Sequence, residues 1–371
     1  MKLVLLLTTA FLVGCAGLPA PVIELRAKLL SEAVLDCFPA EMRDAAGMLA
    51  FCEASAVVAM DSAIVIASDK PTPAGSPVFQ VSMKDWKLVN DPRPLKTPLF
   101  LAAEKIEGMT RTPDGLYALA TTAFDRVHPK DNRDDGFNAL MAWPAKEPSK
   151  ARLIASSVRD GKESSMGLRN LFSNHLGTPY FKIEGLMALP GNRLVFGVRE
   201  TGRNYKEFDY RIVIIGIDYR IDADGDWHLD GPFRTLLDFK PPPELGLPAG
   251  IGLSSIEYDA DSGRIYIATS HEANDKLGAY LWHMTLGDLT EGVSPQLVLG
   301  DDGQPFYFNN KAEGIAILGK DRLFVIHDDD RVLGGQHNRK AHQAVYSVVQ
   351  VQSATSLKRS LRSAGSSVVF R

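Results

Sequence analysis

Five segments of the chain repeat one pattern, and four of them carry a carboxylate at the same point. A glutamate or serine opens a short run, a tight turn follows, and an apolar run comes next; the opening residues are Glu53, Glu107, Glu184, Ser254 and Glu313. A second set ends the apolar runs: Asp69, Thr122, Arg199, Ser270 and Asp328. Structural repeats place equivalent residues at equivalent points of a fold. Carboxylates that converge must take up protons, be neutralised by Arg199 and Lys70, or bind a cation.

The first chemistry that this pattern predicts is binding of a hard metal ion. Oxygen ligands without a nearby thiol or a histidine pair favour Ca²⁺ or Mg²⁺. The predicted ion is Ca²⁺, and its predicted ligands are Glu53, Asp69, Glu107, Glu184 and Glu313. Two other interpretations stay open: the glutamates accept hydrogen bonds from backbone amides of neighbouring repeats, or they act directly in catalysis.

The second chemistry is hydrolysis of an ester or phosphoester. A cation would polarise the bond, Arg199 would balance the developing negative charge, and His271 or Asp328 would orient water. The sequence contains no Gly-x-Ser-x-Gly elbow, His-Glu-x-x-His motif or phosphate-binding loop, which argues against those enzyme classes. The Asp-rich run at 222–226 lacks the closing glutamate of a calcium loop and is predicted to be a hairpin turn.

The repeats predict the scaffold that positions these residues. Two short strands joined by a tight turn, repeated five times, are typical of a β-propeller. The fold class is therefore all-β, with five blades, or six if one repeat has decayed. Residues 23–35 are predicted to form a short helical lead before the first blade. A helix-compatible insertion lies at 162–176, and residues 366–370 are a candidate closing strand.

The loops predict which end of the propeller carries function. Strands 1 and 2 of a blade are antiparallel, so the two sets of repeated polar residues lie at the same end. The loops that follow strand 2 also lie there, and they are long and polar at 123–136, 200–210, 271–278 and 328–343. Loops on a rigid scaffold commonly carry binding and catalysis.

Two of the repeats carry a family resemblance. Lys182-Ile-Glu184-Gly with Arg199, and Lys311-Ala-Glu313-Gly with Asp328, resemble the esterase-like phytase domain and related bacterial propellers. The openings that begin Glu-Gly are more distantly similar to gluconolactonase-type propellers, in which such a glutamate is a metal ligand. The resemblance implies a calcium-dependent propeller that acts on phosphoesters or other esters.

The N-terminus predicts export and a lipid anchor. Lys2 precedes an apolar run, Leu3 to Val13, which is too short to span a bilayer as a helix; residues 1–14 are therefore predicted to be a signal peptide. The run ends in Leu12-Val13-Gly14-Cys15, which resembles the bacterial lipobox and implies cleavage before a lipidated Cys15. The expected location is the outer membrane, facing the periplasm. An ordinary secretory signal with a coincidental cysteine is the alternative.

Composition narrows the remaining choices. The formal net charge of −4 gives no polybasic surface, so nucleic acid is not an expected partner. Cys37 and Cys52 remain after processing; in an oxidising compartment they are predicted to form a disulfide, with two buried thiols as the alternative. The expected domains are 1–14, a lead at 15–49 and a propeller at 50–371. We expect a monomer that hydrolyses a small anionic substrate, or a non-catalytic propeller that binds an envelope protein or polysaccharide.

Overall fold

Each sequence repeat forms the two inner strands of one antiparallel sheet. The computed structural model describes residues 23–43, 47–70, 77–89, 97–273, 276–328 and 339–353. Their five large sheets form a five-bladed β-propeller, which confirms the predicted fold and blade count. The predicted signal peptide, Cys15 and residues 366–370 lie outside these residues.

The strands are numbered here in chain order. The first sheet to be completed along the chain, blade 1, contains β2 (Ala54–Ala59), β3 (Ala63–Ser68) and β4 (Val78–Ser82). Blade 2 contains β5 (Ile106–Arg111), β6 (Tyr117–Thr122), β7 (Leu140–Pro144) and β8 (Arg152–Leu153). A small hairpin follows, formed by β9 (Ser157–Arg159) and β10 (Lys162–Ser164).

The remaining blades have the same antiparallel order. Blade 3 contains β11 (Tyr180–Leu189), β12 (Arg193–Asn204), β13 (Glu207–Ile221) and β14 (Trp227–Phe239). Blade 4 contains β15 (Gly252–Asp259), β16 (Arg264–Ala273), β17 (Lys276–Thr285), β18 (Gln296–Leu297) and β19 (Tyr307–Phe308). Blade 5 contains β20 (Ala312–Gly319), β21 (Arg322–His327), β22 (Gln343–Ser353) and the N-terminal strand β1 (Leu25–Asp36).

The core lies between the blades. Each of five apolar clusters fills the space between one blade and the next. A strand inside a blade is therefore covered on both faces, and its sequence is apolar at consecutive positions, as in β3, where every residue is buried. This double coverage explains the continuous apolar runs in the sequence.

The N-terminal segment is the outer strand of blade 5, so the predicted helical lead is wrong. β1 pairs antiparallel with β22, from Leu25 opposite Ser353 to Asp36 opposite Gln343. Its leucines, alanines, lysine and glutamate favour a helix by intrinsic propensity, but pairing with the open edge of β22 outweighs that small preference. Because β1 holds this position, the first and last parts of the described chain close the ring together.

A disulfide reinforces this closure. Cys37 and Cys52 are bonded, with 6.3 Å between their Cα atoms, and both are buried. The bond joins the end of β1, in blade 5, to the residues just before β2, in blade 1. The predicted pairing is confirmed.

Three short helices complete the described fold: α1 (Pro98–Ala102), α2 (Met166–Leu176) and α3 (Leu286–Glu291). The helix α2 lies within the predicted insertion, and its Leu168 and Phe172 pack into the cluster between blades 2 and 3. Within the described ranges, none of the helices has the length and apolar character needed to cross a bilayer.

Candidate functional site

A β-bulge stands near the start of the innermost strand in every blade. The ladder between the two inner strands skips one residue there: Ser55, Glu107, Glu184, Ser254 and Glu313. A bulged residue is left out of the ladder and its side chain is re-aimed. Glu107, Glu184 and Glu313 thereby bring carboxylate oxygens to within 4.8 Å of one another. All three side chains are buried.

The glycine after each of these glutamates allows the neighbouring blades to approach closely. A Cβ atom at Gly108 would stand 2.9 Å from the Cβ of Leu186, in the next blade. At Gly185 and Gly314 it would stand 2.8 Å from side-chain atoms of the adjoining blades. A side chain larger than hydrogen would push the innermost strands apart, so the recurring Glu-Gly pair combines a polar side chain with a tight inner ring.

The bulges correct two positions in the sequence alignment. In blade 1 the residue at the bulge is Ser55, and Glu53 lies two residues earlier. In blade 2, Thr122 pairs with the residue before the bulge, so Ala123 and not Thr122 is the equivalent of Arg199. Ser55 and Ala123 are both uncharged and gave no signal in the sequence. The sequence alignment therefore placed Glu53 and Thr122 at these two positions instead.

Two of the three glutamates, Glu107 and Glu313, line a cavity of about 960 Å³. Glu53, Asp69, Arg199 and Asp328 line the same cavity, together with Glu107 and Glu313. The predicted convergence of the repeated polar residues at one end of the propeller is confirmed for these six. Their predicted roles as metal ligands or catalytic groups remain predictions.

A set of lysines accompanies the glutamates and was not predicted as part of the site. Lys105, Lys182 and Lys311 each stand two residues before one of the three glutamates. The Lys182 ammonium pairs with Glu184 and lies 3.2 Å from Glu107, and Lys311 lies 2.7 Å from Glu313. The signal was present in the sequence, as a Lys-x-Glu-Gly motif in three repeats.

Blade 1 reaches the same neutralisation by another arrangement. Glu53 stands at the position that a lysine holds in three other blades, and Lys70 supplies the positive charge. The Lys70 ammonium lies 2.7 Å from Glu53 and 3.0 Å from Asp69. For Glu53 and Asp69, the structure thus shows one of the three alternatives that the sequence left open, neutralisation by Lys70.

Arg199 is the buried cation at the centre of the site. Its guanidinium donates to the hydroxyls of Ser254, at 3.0 Å, and Ser270, at 2.8 Å. It also pairs with Glu184, at 3.5 Å, and with Glu272, at 3.3 Å. Blade 4 has a serine where three other blades have glutamate, and the small Ser254 side chain leaves room for the arginine that crosses from blade 3.

Burial and ion pairing shift the pKa values of the three glutamates in different directions. Burial raises the pKa of Glu107 to about 7, with Lys182 opposing the rise and the Glu184 charge adding to it. Burial would also raise the pKa of Glu184, but Lys182 and Arg199 outweigh it and lower the pKa to about 2. For Glu313, burial dominates and raises the pKa well above its usual range. Neighbouring carboxyls thus have pKa values shifted in opposite directions.

The three glutamates form a group that could hold a metal ion. Both carboxylate oxygens of Glu184 are buried, and Lys182 and Arg199 pair with the carboxylate. Carboxylate oxygens of this kind suit a hard divalent cation. Such an ion would take over the neutralising role that the ammonium groups fill.

Two other sequence candidates lie away from the cavity. His271 points to the opposite face of β16 from Ser270, as alternation along a strand requires. Its ring stacks on Tyr307, its Nε2 lies 3.3 Å from the Tyr307 hydroxyl, and burial lowers its pKa. The acidic run at 222–226 is the predicted hairpin turn between β13 and β14, where Asp222 accepts backbone N–H bonds from Asp224 and Asp226.

Comparisons with known proteins give distant likenesses only. No family model matches the chain, and no curated protein matches it in sequence. A DUF4221 family member from Bacteroides vulgatus is 7% identical, over 89% of this chain and 99% of that one, with a TM-score of 0.42. A GH62 α-L-arabinofuranosidase catalytic domain from Coprinopsis cinerea is 11% identical, over 90% and 98%, with a TM-score of 0.45.

A third solved structure has a similar level of likeness. The PQQ-bound aldose sugar dehydrogenase from Streptomyces coelicolor is 12% identical, over 90% of this chain and 100% of that one, with a TM-score of 0.37. At these values a likeness says nothing about what this chain binds or catalyses.

Proposed function

We propose that this protein is a metal-dependent hydrolase of esters, phosphoesters included, with its reaction centre at the floor of the cavity. The observation that carries the proposal is the group formed by Glu107, Glu184 and Glu313. Three buried carboxylates from three different blades converge within 4.8 Å, and two of them, Glu107 and Glu313, line a cavity large enough for a small molecule. Propeller stability alone does not require acidic side chains at such a point, because burying them costs free energy.

The residues divide the work by charge and position. Glu107, Glu184 and Glu313 would hold Ca²⁺, which polarises a carbonyl or phosphoryl oxygen when bound. Arg199 is fixed by Ser254 and Ser270. Its permanent positive charge is therefore preorganised to balance negative charge that develops on a substrate.

Two further carboxylates at the cavity wall would orient the attacking water. Asp69 and Asp328 line the cavity outside the group of three glutamates. A carboxylate in that position accepts a hydrogen bond from water and orients it. His271 has no place in this scheme, since its ring lies outside the cavity lining.

Calcium is expected to stabilise the chelator-stripped protein against heat. Binding to the folded state alone adds about 2.7 kcal/mol at a hundredfold excess over Kd. Replacing Glu184 and Glu313 together with glutamine should abolish the rise in Tm. The unsubstituted protein should hydrolyse p-nitrophenyl acetate or p-nitrophenyl phosphate only when Ca²⁺ is present.

The matched control is Asp222→Asn, which removes a carboxylate from an exposed turn and should leave the calcium response intact. A Tm that stays constant across a wide range of Ca²⁺, together with no calcium-dependent hydrolysis, would defeat the proposal. That result would favour the second candidate, a non-catalytic binding propeller. One observation supports this alternative: Lys105, Lys182 and Lys311 pair with the glutamates and so compensate their charge.

We also propose that the protein is tethered to the cell envelope through a lipid on Cys15. The support is the sequence Leu12-Val13-Gly14-Cys15 at the end of an apolar run. Cys15→Ser should yield a soluble form or an unprocessed precursor, and membrane fractionation with gel mobility measures both. A variant that fractionates and migrates like the parent would contradict the anchor.

A further inference from the structure

The hairpin between β12 and β13 extends along the cavity. Strands β12 and β13 continue past Arg199 to a turn between Asn204 and Glu207. Arg203, Asn204 and Tyr205 line the cavity although they follow Arg199 by four to six residues. At the rise of a strand, that distance is roughly 13–20 Å. The hairpin therefore forms one wall of the cavity.

This wall is aromatic. Tyr205, Phe208 and Tyr210 of the hairpin line the cavity, and Tyr180 of β11 stands beside them. The Phe208 and Tyr210 rings are perpendicular, with centroids 5.2 Å apart, and Tyr180 lies 6.0 Å from Phe208. Tyr205 is 69% exposed. Large aromatic surfaces that remain accessible at a cavity are suited to ligand contact.

A glycine keeps part of this wall uncovered. Gly202 lies directly opposite Phe208 in the strand register. A residue opposite an aromatic side chain normally covers part of its ring, but Gly202 has no side chain to do so. A Cβ atom there would stand 2.2 Å from the Glu207 carbonyl oxygen, so the hairpin backbone itself requires glycine.

The floor of the cavity offers many polar partners and little net charge. Of the described residues that line the cavity, nine are acidic and eight are lysine or arginine. Most of these groups are paired with one another, so they present acceptors and donors side by side. A hydroxyl group both donates and accepts, and neighbouring hydroxyls on one ring match such a surface. A ligand with several negative charges matches it poorly.

We propose that the cavity binds a carbohydrate, and that the ester cleaved at its floor is borne on that sugar. The C–H face of the sugar ring lies against Phe208 and Tyr205, and its hydroxyls contact the charged floor. Hydrolysis adds water across the ester bond and leaves a free sugar hydroxyl and the acid. The cleavage rests on the proposed hydrolase function, whereas the sugar binding does not.

Titration calorimetry on chelator-stripped protein tests the binding, with cellotetraose, xylotetraose and mannotetraose as probes at millimolar concentration. At least one of them should bind. Phe208→Ala with Tyr205→Ala should weaken that binding by on the order of tenfold or more. Phe208→Trp, which keeps an aromatic face, should retain it. The control is Tyr307→Ala, a 38% exposed aromatic residue outside the cavity lining, which should bind like the parent.

Absence of binding by all three sugars would overturn the inference. Equal affinity in the parent and the Phe208 and Tyr205 double variant would also overturn it. Sugar binding without calcium-dependent ester hydrolysis would support the inference while the proposed function fails. Hydrolysis of simple p-nitrophenyl esters by protein that binds none of the sugars would be the reverse case.

Discussion

Replacing Arg199 with methionine is expected to lower the free energy of unfolding by about 3–5 kcal/mol, because removing one partner from a buried network of ion pairs leaves the remaining charges less well compensated. Arg199 is 1% exposed; its guanidinium pairs with Glu184 and donates hydrogen bonds to Ser254 and Ser270. Urea denaturation measures the change, and a shift in midpoint at constant slope identifies it as a loss of native stability.

The control for this prediction lies in the same blade. Arg211 pairs with Asp238 at the periphery, with both side chains partly exposed. Such surface pairs contribute about 1 kcal/mol or less, so Arg211→Met should change stability little. Adding Glu184→Gln to Arg199→Met should recover part of the loss, since the carboxylate charge that Arg199 helped to balance is then removed. Equal and small effects of the two arginine substitutions would refute the central role of Arg199.

Replacing Cys37 and Cys52 together with alanine is expected to lower stability by about 3 kcal/mol. A disulfide that closes a loop of 15 residues restricts the unfolded chain by about that amount. The parent protein should show the same loss after denaturation in reductant, whereas the alanine variant should not respond to reductant at all. Midpoints of urea unfolding provide the comparison.

A small loss of stability would show what holds β1 in place. A loss well below 1 kcal/mol would show that β1 is held in place by its ladder with β22 alone. Alanine is preferred to serine in this test because both positions are buried, where an unpaired hydroxyl would add its own cost.

The fold could be predicted because its signal is periodic. Apolar runs such as β3 and β21 repeat with a turn before each, and their burial on both faces follows from blades that pack against each other. The N-terminal strand could not be predicted in this way. Its partner β22 is remote in the sequence, while its local composition favours a helix, so only the tertiary pairing decides its conformation.

The site was predicted in part for a similar reason. Glu107, Glu184 and Glu313 are marked by the glycine that follows each of them, and that glycine is required by contact with the next blade. Blade 1 has no such pair, and a nearby Glu53 took the place of Ser55. The aromatic hairpin of blade 3 stands outside the repeated pattern, and a method based on repetition gives it no weight.

Closure of the ring by β1 also determines the order in which this protein can fold. Gln343 and Asp36, which hydrogen-bond across the closing strands, are 307 residues apart. β1, the first of the described strands to be synthesised, therefore cannot pair with β22 until almost the whole chain is present. Until then, unpaired strand edges are exposed to pairing with other chains. The Cys37–Cys52 bond spans only 15 residues and can form as soon as blade 1 begins. An early oxidation step would hold the end of β1 at blade 1 and leave only one long-range search, for the edge of β22.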